Sequence, residues 1–291
     1  MAQFNLITWN IQWGRGCDQR VDLRRIVRTA RGMTDFDVLC LQEVARNFPE
    51  LPGSGGEDQF RLLAELLPGY AAIEGIGTDV RAPDGAPARR QFGNMILTRL
   101  PVLQAFRHLL PWPADSEVPS MQRVAVEVVL QAAWGPLRVT TTHLEYYSER
   151  QRAAQVERLR ELQAEAAAHA QDVGHARKEG GPFQNAARPE SGILTADFNF
   201  RPDDPLYVRL QAPFVESAGA PRYVDSWQIV HPGVPHIPTL GVFDRAQWPE
   251  PFTCDFIFVT EDLARRVREV RVNSDTDASD HQPVLLSLNG N

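Results

Sequence analysis

Asp197 and Asn199 stand two apart at the end of the apolar run Ile193-Leu-Thr-Ala. A carboxylate there can accept a proton, or a hydrogen bond from a water, and an amide two residues on offers N–H donors that hold an anionic oxygen without adding charge. The pair suits one phosphate-sized object. An Asp-x-Asn on a loop also suits an Asx-turn, so the pair gains meaning only from its company. Asn10 follows Phe4, Leu6 and Ile7, Glu43 follows Asp37-Val-Leu-Cys-Leu-Gln, His143 follows Thr140-Thr-Thr, and Asp280-His281 precedes the last apolar run. An amide and a carboxylate at the ends of successive core strands can build a hard-cation site. Each could also be an ordinary turn residue or solvated strand end. Asp255 sits inside a β-prone run and needs a partner if buried, for which His281 is the candidate. A histidine held by a carboxylate is locked in one tautomer and suits proton transfer near neutral pH.

Positioning these groups requires strands that end together. The apolar run at 193–199, bounded by Gly192 and by Arg201-Pro202, reads as a short buried strand. Strands are expected to end on Asn10, on Glu43 and on His143, and residues 70–76 form another that carries Glu74. Residues 21–32 and 59–67 read as helices. Residues 148–173 give the clearest helix, with Val156, Leu159, Leu162, Ala166, Ala170 and Val173 on one stripe. Residues 93–98 and 102–109 suggest paired strands around 99–101, and 123–130 with 137–142 a hairpin. Residues 205–210 read as a short helical piece, 223–227 as the start of a helix or strand, and 252–259 as a strand. Residues 77–92 read as a loop, either merely solvated or a positive rim built from Arg81, Arg89 and Arg90. Residues 111–119, 174–191 and 231–252 are further loops, the last long enough to suggest function. Because the candidate residues extend from Asn10 to His281, one domain over 1–291 is expected.

Composition narrows the classes. With 30 Lys plus Arg against 37 Asp plus Glu, the formal charge is −7, which argues against a broad basic face gripping nucleic acid. It leaves room for a nuclease that holds one phosphate locally. Apolar residues make up 43% of 291, enough for a large core. Cys17, Cys40 and Cys254 cannot all pair internally and have no zinc-binding spacing, so a reducing, cytoplasmic setting is expected. The first residues enter a strand pattern without a basic signal segment, and no apolar run is long enough to span a bilayer.

Taken in order, Thr8-Trp-Asn10, Leu41-Gln-Glu43, Gly93-Asn-Met-Ile-Leu, Thr142-His143, Ala196-Asp-Phe-Asn199, Asp255-Phe-Ile-Phe and Ser279-Asp-His281 resemble the endonuclease/exonuclease/phosphatase family. The blocks are individually short, but they cover nearly the whole chain. The resemblance implies an α/β fold, a four-layer αββα sandwich of two mixed β-sheets flanked by helices. It implies Glu43 as principal ligand of Mg2+, or of Mn2+ in its place, with Asn10 and Asp280 beside it. Asn199 and His143 would bind the scissile phosphate, Asp197 would position or deprotonate the attacking water, and His281 would be oriented by Asp255. Glu74 would orient His143 in the same way. The implied activity is phosphodiester hydrolysis on DNA or a related substrate, by a monomer without a protein partner. The alternative is a phosphatase or lipid-headgroup phosphodiesterase of the inositol phosphate or sphingomyelin type. A binding module without turnover is disfavoured, since every matched position keeps a competent side chain.

Overall fold

The computed structural model describes residues 3–83, 87–172, 188–215 and 219–290. Two strands that are buried almost throughout, β1 (Gln3–Asn10) and β2 (Val38–Arg46), lie parallel at the centre of one sheet. Burial on both faces is why they read as near-continuous apolar runs. Phe4, Leu6, Val38 and Cys40 face the other sheet, whereas Ile7, Trp9, Leu39 and Leu41 face helices. Those helices are α1 (Leu23–Met33) and α2 (Gln59–Leu66), whose first turns are capped by Asp22 and Asp58 side chains.

The sheet is completed by β3 (Ala71–Arg81), β4 (Arg89–Thr98), β11 (Val267–Val272) and β12 (Val284–Asn289), in the order β11-β12-β1-β2-β4-β3. A second six-stranded sheet contains β5 (Val102–Leu109), β6 (Val124–Ala132), β7 (Gly135–His143), β8 (Gly192–Asp197), β9 (Tyr223–Asp225) and β10 (Asp255–Thr260). Its order is β5-β6-β7-β8-β10-β9, with β7 and β8 parallel and the remaining pairs antiparallel. The sheets pack face to face through Val126, Val128, Val139, Ile193 and Ile257 against Leu6, Val38 and Ile96. Outside the second sheet lie α3 (Glu149–Gln171) and α4 (Pro205–Leu210), with Leu159 and Leu162 against Phe198 and Phe258. A short α5 (Ser226–Val230) follows β9 directly, so residues 223–227 are a strand and then a helix. The layers are those expected: helices, mixed sheet, mixed sheet, helices.

Local expectations fail where pairing across the sheet overrides composition. Much of the loop expected at 77–92 is a hairpin: Thr78 pairs with Phe92 and Arg81 with Arg89, beyond a register shift at Ile76. Residues 84–86 lie outside the described residues. The strands expected to pair around 99–101 belong to different sheets, so β4 to β5 is a crossing between layers rather than a hairpin. Along α3 the apolar stripe stops at Ala166–Ala167, because Ala170 is exposed and Val173 lies outside the described residues. Its buried face instead includes Gln163, whose side chain accepts from buried Arg138, a charge that needs polar company.

Candidate active site

The two parallel pairs stop side by side. Asn10 ends β1 and pairs in register with Gln42 on β2; His143 and Asp197 end β7 and β8 and pair with each other. Gln42 turns inward and donates to Thr8 Oγ1 at 3.1 Å and Thr141 Oγ1 at 2.8 Å, joining the sheets just beneath the site. Glu43 does not end its strand, as the sequence suggested. It sits in a bulge between Leu41 and Val44 with φ of 60°, and β2 continues to Arg46. A bulge re-aims a side chain that would otherwise follow the pleat. Asn199 also takes positive φ, at 53°, a conformation asparagine tolerates better than most residues.

Around these ends the carboxylates and amides interlock. Asn10 Nδ2 donates to Glu43 Oε1 at 3.1 Å and to Asp197 Oδ2 at 3.0 Å. Asp197 Oδ2 also lies 3.3 Å from His143 Nε2 and 3.6 Å from His281 Nε2, and its Oδ1 accepts from the Asn199 backbone N–H at 3.0 Å. Asn199 Nδ2 reaches His143 Nε2 at 3.0 Å and Leu144 O at 2.9 Å. On the far side, His281 Nδ1 meets Asp255 Oδ2 at 2.8 Å, the partnership expected from sequence. Thus Asn10, Glu43, His143, Asp197, Asn199, Asp255, Asp280 and His281 gather at one end of the sandwich.

Several supports were not singled out from sequence. Trp9 Nε1 donates to the His281 carbonyl at 2.9 Å, and Ser279 Oγ donates to the Asn10 carbonyl at 2.8 Å, so the final turn is tied to β1. Gln12 donates to Asp280 Oδ2 at 3.0 Å while its N–H donates to Asn10 Oδ1 at 3.0 Å. Trp248, from the irregular 231–252 segment, donates to the same Asp280 oxygen at 3.3 Å. The signal was Asn10-x-Gln12, a polar pair spaced like Asp197-x-Asn199.

Two expectations are corrected. Glu74 does not orient His143: its carboxylate holds Arg46 at 2.9 Å, while His143 Nδ1 has no hydrogen-bond partner among the described residues. Glu74 and Arg46 lie on strands that flank β4, which brings them together on one face. The positive rim is largely neutralised. Arg89 pairs with Asp79 at 2.8 Å, and Arg90 pairs with Glu50 and lies over Phe48.

The electrostatics follow from the crowding at the centre. Burial, then the charge of Asp280, pushes the Glu43 carboxyl up to about 7, against the opposing Asn10 hydrogen bond and the His281 charge. His143 is pulled down to about 3 by burial and by the Arg123 charge, so it is neutral near pH 7. Burial opposes the charged form of His281, but the Asp255 and Asp197 charges outweigh it and raise its pKa. Oxygen donors from Glu43, Asp280 and Asn10 fit a hard divalent cation. Asp197, Cys254, Asp255 and His281 also place ligand-capable atoms within 4.8 Å of one another. There, however, burial and the Asp197 charge keep the Cys254 thiol protonated, its Sγ donates to Asp255 at 3.5 Å, and Asp255 holds His281. A protonated thiol is a poor ligand, so the oxygen donors on the Glu43 side fit a hard cation better.

Residues 7–173 match the family model described as Endonuclease/Exonuclease/phosphatase family. No curated protein matches the chain by sequence. Among solved structures, it is similar to the endonuclease/exonuclease/phosphatase from Beutenbergia cavernae DSM 12333, with 26% identity and a TM-score of 0.68 over 99% of this chain and 72% of that one. The fold also matches a mannosyl-6-phosphatase from Bacteroides thetaiotaomicron VPI-5482, with 19% identity and a TM-score of 0.62 over 97% and 98% of the two chains. It matches D. rerio TDP2 complexed with single strand DNA product as well, with 17% identity and a TM-score of 0.62 over 99% and 100%. The matched segment holds Asn10, Glu43 and His143, and the remaining site residues converge on them from the later strands and the last turn; the chain belongs to the endonuclease/exonuclease/phosphatase family of phosphoester hydrolases.

Proposed function

We propose that this protein is a Mg2+-dependent phosphoester hydrolase, with Mn2+ able to substitute. The observation that carries the reading is the convergence on Asp197: amide, imidazoles and carboxylates from six separate segments are linked around it by hydrogen bonds and close charge contacts. A divalent ion held by Glu43, Asp280 and Asn10 would supply charge against the phosphoryl oxygens and the leaving oxygen. Asn199 and neutral His143 hold a phosphoryl oxygen with fixed dipoles, which need no reorganisation as charge develops. Asp197 orients the attacking water and takes its proton. His281, kept cationic by Asp255 and Asp197, donates from Nε2. With Nδ1 engaged by Asp255, Nε2 is the nitrogen left to face the reaction.

The same centre serves monoesters and diesters, so the cleft beside it must choose. DNA or a related phosphodiester was the first expectation, and in its favour stand Tyr146 and Trp248, which line the cleft. A phosphatase or headgroup phosphodiesterase is favoured by the acids along that cleft, Asp203, Asp204 and Glu250. Among the described residues no helix is long and apolar enough to cross a membrane, and all three cysteines are free. A monomeric cytoplasmic enzyme completes the reading.

The test is a Mg2+ and Mn2+ activity screen across plasmid and 5′-adduct DNA, abasic oligonucleotides, inositol phosphates and sphingomyelin, with Glu43→Ala as control. Turnover of at least one phosphoester that is lost in the control and in excess chelator is expected. Equal turnover in the control would reject this centre.

A further inference from the structure

A cleft of about 750 Å3 opens from Asn199 along the 231–252 segment. Its walls are Tyr146, Trp248, Phe252, Arg201, Asp203 and Glu250. Tyr146 is 42% exposed and meets Trp248 edge to face, with ring centroids 5.9 Å apart. Trp248 packs the same way against Phe252 at 6.0 Å, and the Arg201 guanidinium lies 4.3 Å from the Phe252 ring centroid. Because Trp248 also donates to Asp280, and Asn199 contacts His143, the cleft touches both the cation side and the phosphate side of the centre. A group esterified to the scissile phosphate has this cleft to enter.

The lining selects that group by its chemistry. The other arginine of the cleft, Arg152, is buried and donates to the Glu145 and Tyr146 carbonyls. Asp204 accepts from the Leu206 N–H as a helix cap. Arg201, Asp203 and Glu250, by contrast, are exposed, and among the described residues none of them is in an ion pair. One cation against two free acids suits a polynucleotide poorly, since its flanking phosphates would face carboxylates in a chain already at −7. A neutral ring bearing several hydroxyls suits it well. Its O–H groups can donate to Asp203 and Glu250 and accept from Arg201, while its C–H face lies on aromatic rings.

We propose that this cleft is a specificity subsite for a hydroxyl-rich ring, a sugar or cyclic polyol, carried on the phosphate that the centre hydrolyses. The proposal rests on the phosphoester-hydrolase reading and names its substrate class. Trp248 and Tyr146 are the platform, Asp203 and Glu250 the hydroxyl acceptors, and Arg201 the donor.

The test separates binding from turnover. Quenching of tryptophan fluorescence by an aldohexose 6-phosphate and by myo-inositol 1-phosphate is titrated in Mg2+, alongside hydrolysis of both, of single-stranded DNA and of bis(p-nitrophenyl) phosphate. At least one ring phosphate is expected to bind and to give a higher kcat/KM than DNA. Asp203→Asn and Glu250→Gln should each weaken its binding about ten-fold, the effect of losing one hydrogen bond to a charged group. Both sites are exposed, and unchanged circular dichroism confirms folding. A higher kcat/KM on DNA, or unaltered ring-phosphate binding in both variants, overturns the subsite. Turnover of bis(p-nitrophenyl) phosphate without ring-phosphate binding also overturns it and leaves the hydrolase reading standing. Ring-phosphate binding that the two variants weaken, with no ester hydrolysed, leaves the cleft as a ring-binding site, rejects the hydrolase reading and so overturns the subsite's role in substrate choice.

Discussion

Asp197 and Asp255 are register partners across the antiparallel β8–β10 pair, and His281 reaches both, with Nδ1 2.8 Å from Asp255 and Nε2 3.6 Å from Asp197. Like charges directly opposite on neighbouring strands destabilise a sheet. The imidazolium answers both, which is the physical cause of its raised pKa. His281→Ala is therefore expected to lower kcat/KM by about 10²- to 10⁴-fold, the range of a lost proton-transfer group. Asp255→Asn should cost less, since the ring stays in place with weaker orientation. Steady-state hydrolysis of a generic phosphodiester reads both, and full activity in His281→Ala would refute the assigned role.

Glu43 predicts an unusual pH response in the metal-free protein. Its folded pKa, about 7, lies above the ordinary 4.5, so the folded state binds the extra proton in between. Stability from this group is present below 4.5 and is lost as pH rises through 7. Adding Mg2+ should restore stability at pH 7 and above, where the ionised carboxylate becomes a ligand. Thermal melts across that window, with and without Mg2+, give the answer. Glu43→Gln should flatten the metal-free profile and abolish the Mg2+ stabilisation, and a steep profile persisting in the variant would contradict this.

On β6, opposite Thr140, Glu127 holds Arg188 at 2.9 Å and Arg138 at 3.3 Å, all buried. Burial raises its pKa, but His108, Arg138 and Arg188 outweigh that and bring it to about 2. This stabilisation is present above 4.5 and fades as pH falls towards 2. Glu127→Gln leaves two buried guanidiniums without their counter-charge and should cost about 3–5 kcal/mol. Chemical denaturation at pH 7 measures it, and a change below about 1 kcal/mol would show that the network is not load-sharing.

Glu74, itself 37% exposed and engaged with Arg46, offers a contrasting case. Glu74→Gln should alter stability by no more than about 1 kcal/mol and leave turnover within about three-fold of the parent. A loss approaching that of His281→Ala would restore Glu74 to the chemistry.

The sequence alone marked the buried strands and most of the polar groups at their ends, because both rest on short-range patterns, whereas the four-layer order came only through the family resemblance. Strands buried on both faces must be apolar along their length, as in β1 and β8, and the groups at their ends, Asn10 and Asp197, then stand out. The partnership of Asp255 with His281 was legible for a similar reason: a buried acid in an apolar run demands a partner, and few candidates exist. Other matters were decided only in three dimensions. The bulge that turns Glu43 into the centre leaves no local mark, since it arises from register with β4. Arg89 and Arg90 look free along the chain and are neutralised by Asp79 and Glu50, 10 and 40 residues away. Glu74 looked available for His143 until the sheet order set β3 and β2 on either side of β4 and left Arg46 facing it. Sequence pattern records whether a residue must be buried, whereas its charged partner depends on which strands become neighbours.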